Sequence, residues 1–176
     1  MADVVGPPRG EVAFLVDVQS RLSAPPIVTV ARAMSHFGEH AAGWIGLSVA
    51  GALVVPRRRR EWLLVGVGSV VAHAVSILIK LAVRRTRPHH PAIAVKVGTP
   101  SSLSFPSAHA TSTTAAAMLL CRATRSPLPI VLVPLMAVSR MVLGVHYPSD
   151  VVAGIVVGAT VAGTVTRIAG HEGEDE

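Results

Sequence analysis

From Trp62 to Val83 the chain runs for 22 residues, WLLVGVGSVVAHAVSILIKLAV, with Lys80 as the only formally charged side chain in the run. As an α-helix, such a run covers about 33 Å, enough to cross the hydrocarbon core of a bilayer. A run this apolar either crosses a membrane or is buried on every side by protein. The rest of the chain decides between the two: only 15% of residues are charged and mean hydropathy is +0.55, whereas a soluble domain carries about 25% charged residues. Apolar runs recur from Ala41 to Val55, Ala108 to Cys121, Leu128 to Leu143 and Val151 to Ile168. The expected fold class is all-α, a multi-pass transmembrane helical bundle of about five to six spans.

One integral-membrane domain is expected over residues 1–176. Residues 1–38 form its N-terminal part, 39–168 a transmembrane core and 169–176 a disordered acidic tail. The segment EVAFLVDVQSRLS (11–23) is short and charged, which suits an amphipathic helix lying in the interface. Pro25 and Pro26 end it, and Ile27 to Phe37 reads as a second interfacial or partly inserted helix. MADVVGPPRG lacks the apolar stretch of a secretory signal, so insertion by the chain's own helices is expected. Trp44 and Trp62 read as interface anchors. Gly154/Gly158 and Ala159/Gly163 have the small-xxx-small spacing of a close helix contact.

Alternate helices sort the connections into two sets. Arg57 to Arg60, Arg122 and Arg125 fall in short loops of one set, which the positive-inside rule assigns to the cytoplasm. The long 84–107 loop and the 144–150 turn then face the cell exterior or periplasm. The expected localisation is therefore the cell membrane, with the chemistry on its outer side. The net charge is +6, but the basic residues are scattered and aromatics make up 3%, a poor basis for a nucleic-acid surface. Cys121 is the only cysteine, so neither a disulfide nor a thiolate metal site forms within one chain.

Chemistry gathers at three places, all at one end of the expected bundle. The first is KLAVRRTRP, with Lys80, Arg87 and Pro88. The second is PSAH, with Ser107 and His109. The third is SRMVLGVHYPSD, with Ser139, Arg140, His146 and Asp150. Between Glu61 and Glu172 there is one acidic residue, Asp150, against nine Lys or Arg. Cations at a membrane edge without counter-ions are costly, and a bound anion relieves the cost. Lys80, Arg84 and Arg87 share a helix face if the helix runs on to Pro88, and several converging cations suit a tetrahedral phosphate. Arg84 and Arg85 read equally well as cations snorkelling to headgroups. Ser107 is a good N-cap, and its helix N-terminus makes an anion seat with His109 in the first turn. Asp150 can accept from one nitrogen of His146, four residues away, and leave the other free as a nucleophile. His73 reads as a packed helix residue, and His89 and His90 as loop residues. With Asp150 alone, there is no acidic cluster for a divalent ion.

Lys80 followed by six residues and Arg87–Pro88, then PSAH, then Ser139–Arg140 with five residues before His146 and three before Asp150, resembles the three-part signature of the type-2 phosphatidic acid phosphatase family. Ala108 stands where the family often has glycine. The resemblance implies a metal-independent phosphatase without cofactor, acting on a lipid phosphate held in the membrane. It implies His146 as nucleophile forming a phosphohistidine, Asp150 orienting it, and His109 as acid and then base. Lys80, Arg87, Ser107 and Arg140 would bind the phosphoryl group, with Ser139 helping to position them. A polyprenyl-linked phosphate leads among the substrates, beside undecaprenyl pyrophosphate, phosphatidylglycerophosphate and phosphatidate. Transfer to an alcohol acceptor at the same site is the alternative reaction. The expected partners are this substrate and membrane lipids, and a homo-oligomer is admitted.

Overall fold

The computed structural model describes residues 6–171, and these are helical apart from their connections and one isolated bridge between Thr86 and Leu103. Seven α-helices follow in order: α1 (Gly10–Leu22), α2 (Pro25–Gly38), α3 (Ala42–Val54), α4 (Arg59–Val83), α5 (Ala108–Thr124), α6 (Leu132–Val142) and α7 (Pro148–His171). Single 3-10 turns at Glu39–Ala41, Pro56–Arg58 and Leu128–Val131 lead into α3, α4 and α6.

Helix α5 is the axis of the bundle. Its sequence is rich in Ala, Ser and Thr, and nearly every residue from Ala108 to Ala117 is buried. Small side chains let neighbouring backbones close in, which is how helices associate where lipid gives no hydrophobic drive. A Cβ built on Gly154 of α7 would lie 2.7 Å from Ser107 O, and one on Gly158 would lie 2.3 Å from Thr111 O. The Gly154/Gly158 pair is thus the contact expected of it. Gly163 meets nothing within 4 Å, so the Ala159/Gly163 pair is not such a contact. On the other flank, Leu119 of α5 fills the space over Gly68 of α4.

Both tryptophans depart from the expectation of interface anchors. Trp44 is 3% exposed and meets the Phe37 ring edge-to-face at 4.8 Å. Trp62 packs against Gly51, where α3 and α4 approach too closely for a side chain. The N-terminal helices also do more than lie on a surface. Leu15 of α1 is fully buried. Gln19 donates to Ala94 O at 2.8 Å and Val142 O at 3.1 Å, and accepts from Ala94 N at 3.0 Å, sewing α1 to the long loop and to α6. Helix α7 runs through residues 169–171, expected in the tail, and residues 172–176 lie outside the described residues.

The arginines expected at the cytoplasmic end do cluster at one end of the bundle. Arg58 donates to Arg122 O and Ala123 O, and Arg60 to Ala169 O. Two segments, Pro56–Val83 and Pro148–Gly170, are long and apolar enough to cross a bilayer unaided, and Leu128–Val142 is a shorter apolar helix.

Candidate active site

The site forms at the opposite end, where α4, α5, α6 and α7 meet the 84–107 loop. Gly144 takes φ +71° and turns the chain out of α6, which aims His146 inward before Pro148 starts α7. His146 is 2% exposed and Asp150 fully buried. Nδ1 of His146 lies 3.6 Å from Asp150 Oδ2, beyond hydrogen-bond range. Its Nε2 lies 3.2 Å from Arg87 Nη1. A guanidinium only donates, so Nε2 accepts and the ring proton sits on Nδ1, toward Asp150. Burial first, then Arg140, Arg87 and Lys80, hold His146 well below the usual imidazole range. The ring is therefore neutral with its lone pair on Nε2, the form in which an imidazole is a nucleophile.

Asp150 is fixed by two other groups. Oδ2 accepts from Tyr147 N–H at 2.8 Å, and Oδ1 accepts from Arg85 at 2.9 Å. The other arm of Arg85 donates to Glu11 Oε2 at 2.6 Å, and its guanidinium lies 4.0 Å from the Tyr147 ring centre. Glu11 Oε1 accepts from Ser149 N–H. Burial lowers the Arg85 pKa, but the bonds to Glu11 and the charge of Asp150 outweigh it and raise the group above its ordinary value. Arg85 is thus a buttress of the His–Asp pair and not a snorkelling cation. Only the adjacent Arg84, in the left-handed conformation, turns out to solvent.

That left-handed residue ends α4 at Val83, so Lys80, Arg84 and Arg87 do not line one helix face. Arg87 returns to the site along the loop, donating to Ser101 O and Val145 O as well as meeting His146. Lys80 spends its three N–H donors on three carbonyls, Leu103 O, Ser104 O and Pro106 O, at 3.3, 3.0 and 2.7 Å. It pins the loop just before α5 and lends the site its charge.

Ser107 caps α5 as its position suggests, with Oγ accepting from Ala110 N–H. Its own N–H donates to Asp150 O, joining α5 to α7. His109 Nε2 lies 2.9 Å from Ser35 O on α2, so that nitrogen donates and Nδ1 is the free one. Arg140 is 2% exposed and donates from Nη1 to Ser35 Oγ at 2.7 Å, while its buried Nε has no partner among the described residues. Ser139 does not join this group: its hydroxyl donates to Ala31 O and ties α6 to α2. The end of α2 is therefore a wall of the site. Gly38 lies so close to the His109 ring that a Cβ there would be 2.8 Å from Cδ2. Ser35, Gly38 and Glu11 carried no signal in the sequence, and Arg85 could not be told from a snorkelling cation, because each acts through a partner far along the chain.

Lys80, Arg87, His109, Arg140 and His146 line one cavity of about 610 Å³, closed by Val97 to Ser101 of the long loop and by Ser35, Glu39 and His40. Ser107, Ser139 and Asp150 stand behind this lining. Cationic side chains from the long loop (Arg87) and from α6 (Arg140) thus face the same cavity as the His146 imidazole.

Comparison with known proteins places the chain in a family. Residues 61–173 match the model of the PAP2 superfamily. The chain is 63% identical over 164 residues to the decaprenylphosphoryl-5-phosphoribose phosphatase of Mycobacterium tuberculosis, covering 93% of each chain. It is 64% identical over 148 residues to the protein of that name from Mycolicibacterium smegmatis, covering 84% of this chain and 82% of the other. In fold it is similar to the crystal structure of the transmembrane PAP2 type phosphatidylglycerolphosphate phosphatase from Bacillus subtilis, with a TM-score of 0.70 over 90% of this chain and 86% of that one, at 20% identity. A membrane phosphatase fold, a matched segment holding all three motifs and relatives aligned over nearly the whole length lead to one statement: the chain belongs to the PAP2 superfamily of phosphatases.

Proposed function

We propose that this protein hydrolyses the terminal phosphomonoester of a polyprenyl-linked phosphosugar, decaprenylphosphoryl-5-phosphoribose, in the cell membrane. The observation that carries the reading is the shared cavity. His109 on α5 and His146 in the α6–α7 turn open into one space beside Arg87 and Arg140. The names of the mycobacterial relatives support the lipid headgroup.

In the first step Nε2 of His146 attacks phosphorus. The bond from phosphorus to the ester oxygen breaks, and His109 delivers to that oxygen a proton that its Nδ1 has taken from the bound phosphate monoanion, while its Nε2 proton stays hydrogen-bonded to Ser35 O. Arg87 leaves Nε2 for a phosphoryl oxygen, and the free Nε of Arg140 takes another. The Nδ1 proton stays on His146, and its charge is met by Asp150. In the second step His109 removes a proton from water, the water oxygen attacks phosphorus and the P–N bond breaks, releasing orthophosphate. Fixed cations around the phosphoryl group stabilise the charge of both transition states, the main lever in phosphoryl transfer.

Helices α3 to α7 cross the bilayer in this reading, making five spans, with α1 and α2 packed on the outer rim. Helix α5 can be rich in Ser and Thr because it faces helices and not lipid. Arg57 to Arg60, Arg122 and Arg125 mark the cytoplasmic end, so the cavity faces outward. Ile77 and Leu81 line the cavity and are also exposed on α4, which supports a tail lying in the bilayer while the phosphate enters. Purified protein in detergent and EDTA, given decaprenylphosphoryl-5-phosphoribose, phosphatidylglycerophosphate and phosphatidate, should release phosphate fastest from the first. His146→Ala should release none. Activity that survives this substitution removes the nucleophile, and a faster glycerolipid removes the headgroup assignment.

A further inference from the structure

The phosphoryl chemistry uses one end of the cavity and leaves the other unexplained. Its volume of about 610 Å³ is that of a pocket for a whole small molecule, typically about 300–1,000 Å³, and far exceeds one phosphoryl group. The wall that continues from the end of α2 to His73 is polar. His73 lies seven residues before Lys80 on α4, about 10 Å along the axis, and lines the same space. Its buried Nδ1 has no partner among the described residues. The His40 ring is 5.9 Å from the His73 ring. His40 and Ala41 both take left-handed backbone angles, φ +51° and +59°, in a turn that sets Glu39 and His40 on the cavity wall. Backbone strain of this kind clusters at functional sites.

The chemistry of this wall differs from that of the cradle. It holds imidazoles and one carboxylate, Glu39, whose Oε2 lies 3.6 Å from His36 Nδ1. A carboxylate repels a phosphate but accepts two hydrogen bonds from neighbouring hydroxyls, and an imidazole both donates and accepts, as a hydroxyl does. An apolar tail gains nothing from such groups. Glu39 and His40 also lie outside the segment 61–173 that matches the superfamily model, as groups fitted to one substrate would.

We infer that Glu39, His40 and His73 form a hydroxyl-binding subsite that seats the sugar of a lipid-linked phosphosugar while its phosphate occupies the cradle. The inference rests on the phosphatase reading for the direction of the substrate.

The test has two arms. In the first, the ratio of kcat/KM for decaprenylphosphoryl-5-phosphoribose to that for decaprenyl phosphate is measured in wild type, Glu39→Gln, His73→Phe and His40→Gly. The last places glycine where the left-handed backbone favours it. The ratio should fall about 10- to 100-fold in each variant, tenfold being the loss of about one good hydrogen bond. A ratio equal to wild type in all three overturns the subsite. The second arm needs no turnover: thermal stabilisation of the protein by ribose 5-phosphate is compared with that by orthophosphate. Wild type should be stabilised more by the phosphosugar, and the three variants equally by both. Equal stabilisation of wild type also overturns the subsite. A wild type that prefers ribose 5-phosphate but releases no phosphate from any lipid retains the subsite and overturns the phosphatase reading.

Discussion

Arg85 holds the Oδ1 of Asp150 at 2.9 Å with one arm of its guanidinium, and the carboxylate of Glu11 at 2.6 Å with the other. Asp150 in turn lies beside His146, so the N-terminal helix is tied to that imidazole through two carboxylates and one arginine. Without Arg85, Asp150 would lose the ion pair that holds Oδ1 and keep its bond from Tyr147 N–H on Oδ2.

Arg85→Gln should therefore lower kcat about 10- to 100-fold, as expected for one charge-assisted bond of about 1.5–3 kcal/mol. KM should change little, because Arg85 does not line the cavity. Arg85→Lys keeps the charge but cannot bridge both carboxylates, and should fall between the two. Initial rates of phosphate release across substrate concentrations measure the split, and a rise in KM at constant kcat would contradict it.

Glu11 gives this clasp a pH dependence. Burial raises its pKa, but the bonds from Ser149 and Arg85 outweigh burial and hold the carboxylate below its ordinary value. A depressed carboxylate stabilises the fold fully above the unfolded value of about 4.3, and the gain is lost as pH falls through the lower folded value. The pair is partly exposed, which limits it to about 1 kcal/mol. Glu11→Gln should lower Tm by about 2–4 °C at pH 7. Wild type and variant should converge below about pH 4, as followed by thermal denaturation in detergent.

Gly38→Ala tests the wall behind His109. The new methyl would lie 2.8 Å from His109 Cδ2 and 3.3 Å from Met136 Cε, so the imidazole must shift or α2 must retreat. A misplacement approaching 1 Å costs about 100-fold in rate. Phosphate release should fall by about that factor while the protein still folds, and unchanged kcat would show that the ring relaxes freely.

Gly158→Ala and Gly163→Ala should have opposite effects on stability. At 158 the methyl would meet Thr111 O at 2.3 Å, a backbone atom that cannot swing away, while at 163 it meets nothing within 4 Å. The first should cost about 1–3 kcal/mol through overpacking and lower Tm by several degrees. The second should leave Tm unchanged or raise it, because alanine is the better helix former. Equal shifts would rule out the α5–α7 contact.

Much of this protein could be read from its sequence. The apolar runs placed α3 to α7 to within a few residues, and Ser107 was recognisable as the cap of α5 because capping depends on neighbours a few residues away. The same locality placed His146 four residues from Asp150 and Arg87 beside Pro88. Such features need only helical geometry, hydropathy and the chemistry of short windows, which linear order contains. The three-dimensional packing decided the rest. It chose Arg85 over Arg84 as the partner of Asp150, since one left-handed residue at 84 turns the chain. It turned Ser139 away toward Ala31, spent the donors of Lys80 on loop carbonyls and brought Ser35 and Glu39 to a cavity whose other walls lie dozens of residues away. These pairings join positions such as 11 with 85 and 35 with 140. No periodicity reports them, because they exist only once the helices have packed and each buried polar group has found its partner.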